Sequence, residues 1–182
     1  DLFVTNLDNE GSTFYANLGN GLFEDRTIEA GLLRPSLGRT GFGARFLDYD
    51  NDGSLDLLVV NGAVRFLADL VRQGDPYPLK QRNQLFRNDG RGRFAHLGDA
   101  AGPAFALLGV SRGLAVGDLD NDGRPDAVVF NNSGPVRVLR NTAATRRWLG
   151  VRIIDGRSRR DALHTRVEMV QRGGTPIWRR VQ

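Results

Sequence analysis

The sequence predicts an all-β chain: a partial β-propeller of about two and a half four-stranded blades, then the start of a small C-terminal β domain. Three observations carry that prediction. The acidic nonapeptide D-x-D-x-D-G-x-x-D occurs twice, each copy running straight into an apolar strand. An offset of 70 residues superposes the two copies together with much of their surroundings. Short runs separated by Asn- and Gly-rich turns give about four strands per unit, the make-up of a propeller blade.

Taken in order, Asp1-Leu-Phe-Val-Thr-Asn6 has the pattern of Asp56–Asn61 and of Asp126–Asn131. Asp1 is therefore expected to close a third acidic loop, with further blades expected upstream. The block Phe14–Phe23 (FYANLGNGLF) recurs as Leu85–Phe94 (LFRNDGRGRF), with a shortened copy at Val138–Asn141. Asn17-Leu18-Gly19 and Asn88-Asp89-Gly90 supply hairpin chemistry, because Asn and Gly tolerate positive φ. Gly31 and Gly102 each lie eight residues beyond the closing Phe of the block, and Gly43 aligns with Gly113. Phe42, Ala44 and Phe46 alternate as in a half-buried strand, whereas Leu57–Val60 is the continuous apolar run of an inner strand. Repeats of this length indicate an array.

One spacing departs from the rest. Asp1 to Asn17 is 16 residues and Asp126 to Asn141 is 15, but Asp56 to Asn88 is 32. The surplus lies within 62–82, where Val64, Leu67 and Val71 fit one helical face before Asp75-Pro76-Tyr77-Pro78 breaks it. It reads as a surface elaboration, on a part of the blade where binding often happens.

Four carboxylates within nine residues repel one another unless a cation holds them. Oxygen-only donors select a hard cation that accepts six to eight ligands, Ca²⁺ before Mg²⁺ or Zn²⁺. The glycine at the sixth position supplies the sharp turn. The absence of cysteine excludes disulfides, thiolate metal sites and a Cys nucleophile. No apolar run reaches the roughly 18–20 residues that span a bilayer, so no membrane span is expected. The chain begins at Asp1 and its one methionine is Met169, so a fragment or processed product is expected. The net charge of +4 hides a split: residues 1–136 carry 18 acidic and 13 basic side chains, residues 137–182 carry 3 and 12. No aromatic-interleaved motif accompanies the basic segment, and nucleic acid is not expected as a partner.

These residues resemble the FG-GAP/VCBS repeat proteins, whose calcium-stabilised blades build propellers like the head of integrin α chains. The resemblance covers residues 1–142. The tail, 147–152 (RWLGVR) followed by 157–170 (RSRRDALHTRVEMV), resembles the start of an ASPIC/UnbV domain over 145–182, without that family's glycine near His164 and cut short at Gln182. The resemblance implies that Asp48, Asp50, Asp52 and Asp56 are side-chain ligands, with the Ser54 carbonyl completing the protein set. In the next blade Asp118, Asp120, Asp122, Asp126 and the Arg124 carbonyl take the same roles, the Arg124 side chain pointing to solvent. Asn51 and Asn121 occupy the non-ligand fourth position and help the loop turn. It also implies a secreted, surface or periplasmic scaffold that binds a protein or glycan, with Ca²⁺ in a structural role. The alternative is the non-catalytic part of a larger secreted propeller enzyme.

Two other chemistries fit less well. An EF-hand needs Glu at loop position 12 and flanking helices, but that position is Val59 or Val129 inside an apolar strand. Gly109-Val-Ser111-Arg-Gly113 matches G-x-S-x-G, yet Leu114-Ala-Val-Gly117 and then an acidic loop come next, where a nucleophile elbow needs a helix. Neither His96 nor His164 belongs to a recognisable triad, and no catalytic residue is assigned. Tyr49 is expected to pack on the blade surface. Trp148 is expected where a strand enters the second domain, in a core or interdomain role, although it and Trp178 have the shape to stack on a sugar.

Overall fold

The computed structural model describes residues 1–144, 148–170 and 176–180. It divides into two compact units, Asp1–Arg146 and Arg147–Gln182. The expected boundary at 145, with Arg147 and Gln182 of the tail, lies outside the described residues.

The first unit is a row of antiparallel meanders. Strands β1 (Leu2–Val4), β2 (Thr13–Gly19) and β3 (Leu22–Asp25) form a three-stranded sheet, followed by a single helical turn, α1 (Leu33–Ser36). Strands β4 (Gly41–Leu47) and β5 (Asp56–Asn61) come next, then α2 (Ala68–Arg72), β6 (Gln81–Arg82), β7 (Gln84–Asn88) and β8 (Phe94–His96). The order β4-β5-β7-β8 makes a complete four-stranded blade, while β6 pairs with β9 (Leu108–Gly109). Strands β10 (Ser111–Gly117), β11 (Asp126–Asn131) and β12 (Arg137–Leu139) form the third sheet. The described chain is thus all-β, with no closed barrel, as a partial propeller requires. The repeat extends to backbone detail, since β4–β5 and β10–β11 carry bulges at equivalent positions, Gly41/Ala44 and Ser111/Gly113.

The uninterrupted apolar run of β5 now has its reason. Its alternate residues point to opposite faces, and both faces are covered. Leu57 and Val59 join Phe14, Leu32, Phe86 and Phe94 in one core, between the first and second sheets. Leu58 joins Leu47, Leu85 and Ala127 in the other, between the second and third. Phe14 meets Phe46 and Phe94 edge to face, an arrangement that adds about 0.5–1.5 kcal/mol per pair beyond area burial. The sheets approach closely at Gly43, where a Cβ would stand 2.7 Å from the Leu114 Cβ and 2.9 Å from its backbone nitrogen.

The asparagine at the end of β5 and of β11, or just beyond β1, has a structural task. Its side-chain amide donates to a carbonyl across the following loop: Asn6 to Gly11 (2.8 Å), Asn61 to Arg82 (2.9 Å) and Asn131 to Pro135 (2.7 Å). One bond closes loops of very different length, which is why the insertion at 62–82 leaves the blade intact. Within that insertion the helix is shorter than the apolar spacing predicts. It spans Ala68–Arg72, Val64 lies before it, and Val64, Phe66 and Val71 are exposed, while Leu67 is partly buried. Arg112 holds the start of the insertion from the next sheet, donating to the Gly62 and Ala63 carbonyls (2.9 and 3.0 Å) while lying over the Phe42 ring.

The second unit contains an antiparallel pair, β13 (Arg166–Met169) with β14 (Ile177–Arg180), and a bridge between Ile154 and Asp161. Trp148 lies outside any strand and is half-exposed, contrary to the strand expected there. Trp178 sits in β14 with the Arg166 guanidinium 5.1 Å from its ring centre. Among the described residues no helix is long and apolar enough to cross a membrane.

Candidate metal centres

The two acidic loops are the first turns of their sheets, Asp48–Asp56 joining β4 to β5 and Asp118–Asp126 joining β10 to β11. Their backbones follow the same path. Left-handed residues fall at the fourth and sixth positions, Asn51 (φ 54°) and Gly53 (93°), then Asn121 (57°) and Gly123 (83°). Asn and Gly are the residues that adopt this conformation at least cost. The first aspartate cradles the turn with both oxygens. Asp48 accepts from the Asp52 and Gly53 N–H groups (2.9 Å each), and Asp118 accepts from Asp122 and Gly123 (3.0 and 2.8 Å).

The ninth-position aspartate ties the loop to the rest of the sheet. Asp56 accepts the Tyr49 N–H (3.1 Å) and the Asn88 N–H (2.8 Å); Asp126 accepts those of Leu119 (3.0 Å) and Asn141 (2.8 Å). Asp1 accepts from Asn17 at 2.8 Å in the same manner. The asparagine of the repeated block is therefore the partner of the loop's last aspartate. Its side-chain oxygen also accepts an N–H two residues on, from Gly19, Gly90 or Ala143. The shortened copy at Val138–Asn141 preserves both bonds.

Three of the four aspartates in each loop converge. Oxygens of Asp48, Asp50 and Asp56 lie within 4.8 Å of one another, as do those of Asp118, Asp120 and Asp126. Asp52 and Asp122 lie outside these groups. Each accepts an N–H two residues on, from Ser54 (2.8 Å) and Arg124 (3.0 Å) respectively, and turns its other oxygen to an arginine. Ser54 and Arg124 are the expected carbonyl ligands. The Arg124 side chain does not point to solvent as expected: it pairs with Asp122 and donates to the Asn141 carbonyl at 2.9 Å.

The first centre has an unbalanced charge. Asp50 Oδ2 meets the Arg87 guanidinium at 3.1 Å, but Asp50 Oδ1 is buried and accepts no hydrogen bond among the described residues. Burial pushes the Asp56 carboxyl up to about 7; hydrogen bonds from Asn88 and Tyr49 oppose the shift, and the Asp50 and Asp52 charges add to it. A buried anionic oxygen without a donor is costly unless a cation meets it. An all-oxygen donor set of this kind suits a hard cation, so the residues present fit Ca²⁺.

The profile of the FG-GAP-like repeat family matches residues 1–59 and 67–129. The chain belongs to that family. The FG-GAP match takes in both acidic loops and breaks over 60–66, where β5 gives way to the insertion. No curated protein matches the chain.

Both loops are flanked by strands, not the helices of an EF-hand, and Val59 and Val129 lie in β5 and β11. Ser111 is buried at the start of β10 with its hydroxyl 2.8 Å from Asn131 Oδ1, and a strand continues from it where a nucleophile elbow has a helix. The arginines of the centres went unnoticed in the sequence. Arg87 and Arg140 both directly precede the repeat asparagine, and Arg140 meets Asp120 at 2.8 Å. That shared Arg-Asn pair was the available signal.

Proposed function

We propose that this FG-GAP chain is part of a calcium-binding propeller scaffold in a secreted, surface or periplasmic protein. Ca²⁺ fastens the first turn of each blade, held by Asp48, Asp50 and Asp56 and by Asp118, Asp120 and Asp126. The observation that carries the reading is the buried, donor-free Asp50 Oδ1 inside a cluster of converging carboxylates. Extracellular modules of this chemistry bind with a Kd on the order of 10⁻⁴–10⁻³ M, so such sites fill outside the cell and stay largely empty in the cytosol.

The scaffold presents a surface for a protein or glycan and carries no reaction of its own in this reading. The outer faces of the first and third sheets expose Leu2, Leu22, Phe130 and Val138, which supports a ring continued by further blades. Residues 145–182 are read as the opening of an ASPIC/UnbV domain. His164 there adopts φ 66°, a conformation in which glycine is at ease, which supports its standing near that family's glycine.

Thermal melts test the calcium claim. At millimolar Ca²⁺ and a Kd of 10⁻⁴ M, each site adds about 1.4 kcal/mol, or a few degrees. Melts with Ca²⁺ and with chelator should therefore differ by several degrees, and Asp50→Ala combined with Asp120→Ala should remove the difference. No shift in the wild-type chain refutes calcium binding. A glycan and protein array on the parent protein, with and without chelator, tests the scaffold role.

A further inference from the structure

We propose that the two cation sites are energetically coupled, and that the side chains of Asn51 and Asn141 carry the coupling. The inference rests on the reading that each loop holds Ca²⁺, and it concerns residues that are not ligands.

The two loops belong to adjacent sheets and are bonded to each other directly. The Asn51 side-chain amide crosses to the second loop and donates to the Gly123 carbonyl at 3.1 Å. That carbonyl shares a peptide group with the Arg124 N–H, which donates to Asp122 Oδ1, while the Gly123 N–H lies on Asp118 Oδ2. In the opposite direction, the Asn141 side-chain amide donates to the Tyr49 carbonyl in the first loop at 2.7 Å. The Asn141 backbone N–H is at the same time on Asp126 Oδ1, and the Tyr49 N–H is on Asp56 Oδ2. Each loop thus has a backbone carbonyl pinned by a residue that belongs to the other sheet's fastening.

A cation that orders one loop fixes these donors and acceptors in place. The second loop then loses less conformational freedom when it binds, which is positive cooperativity without a change of fold. Asn51 holds the fourth loop position with a left-handed backbone (φ 54°), and its amide reaches the neighbouring sheet. Asn121 has the same conformation (φ 57°) and makes no such bond among the described residues. It is a matched control.

The first site can be read separately. Tyr49 lies inside it, whereas the equivalent residue of the second loop is Leu119, so tyrosine-sensitised terbium emission reports the first site and Tyr49→Phe gives the background. On the whole chain, terbium is titrated with this readout and total Ca²⁺ binding is followed by calorimetry. Asp120→Ala, which disables the second site, should weaken the first by about tenfold, within the usual range of coupling between sites. In the Asn51→Gly background the same substitution should weaken it by less than threefold, while in Asn121→Gly the tenfold effect should remain.

The outcomes separate the two claims. If the wild-type chain binds no Ca²⁺, the site reading itself falls. If both sites bind and Asp120→Ala leaves the first unchanged, coupling falls and the site reading stands. If Asn51→Gly and Asn121→Gly behave alike, the bridge is not the carrier.

Discussion

The two acidic loops share a backbone path and a hydrogen-bond pattern, yet the first is covered and the second lies open. The Asp50 side chain is 14% exposed and that of Asp120 is 36% exposed. The following sheet is bonded to the first loop: Asn51 donates to the Gly123 carbonyl, and Asn141 donates to the Tyr49 carbonyl. The second loop has no such neighbour among the described residues. The same contrast runs down the strands. Val60 at the end of β5 is fully buried, and Phe130 at the equivalent place in β11 is half-exposed. A blade's interior is therefore not a property of the blade. Half of its core and some of the hydrogen bonds that hold its acidic loop are supplied by the next repeat.

The largest test of that contrast is in the core. Leu58→Ala removes a side chain buried between two sheets and should cost about 3 kcal/mol, whereas Val128→Ala, at the half-buried equivalent, should cost less than half of that. Denaturant melts of the two variants measure the difference, and equal losses would contradict one-sided burial of the third sheet. Next is the contact between sheets. Gly43→Ala meets Leu114 backbone and should cost about 2 kcal/mol, while the Cβ of Gly113→Ala comes nearest to the Phe130 side chain, at 3.3 Å, and should cost less than 1 kcal/mol.

The cation sites should differ as well. Charges interact more strongly where water is excluded. Calorimetry on Asp120→Ala and on Asp50→Ala, each leaving one intact loop, should show the 48–56 loop binding Ca²⁺ the more tightly, by several-fold.

A further test varies pH. The Asp56 carboxyl is raised from 3.8 to about 7 in the fold, so the folded chain keeps a proton that the unfolded chain releases. In chelator, this contribution to stability is fully present below pH 3.8 and is lost as pH rises to 7 and above. Asp56→Asn should flatten that part of the profile, measured as melting temperature against pH, and bound Ca²⁺ should reverse it by favouring the carboxylate.

Much of this was legible in the residues. The 70-residue offset located both loops and the strands beyond them, and the recurring block located the asparagines that fasten them, Asn17, Asn88 and Asn141, because each of those features is local. The turn geometry was legible too, since Asn and Gly at the fourth and sixth loop positions are the residues that tolerate positive φ. The helix in the insertion was read too long because a stripe of Val64, Leu67 and Val71 shows amphipathic spacing without showing that Val64 and Val71 stay exposed. Asp52 and Asp122 read as equals of the other aspartates because spacing alone does not show that they accept from Ser54 and Arg124 and pair with arginines.

What the sequence by itself determined is the repeat, the all-β class and an oxygen-rich loop suited to a hard cation. These follow from residue type and period. Only the tertiary structure decided which loop is covered, that Asp50 keeps a buried oxygen without a donor, and that Asn51 and Asn141 join the two loops. The physical reason is the same in each case. Burial and bridging depend on atoms brought from some 70 to 90 residues away, as in the Asn51–Gly123 and Asn141–Tyr49 bonds, and two loops with nearly the same local sequence cannot announce which of them will receive such neighbours.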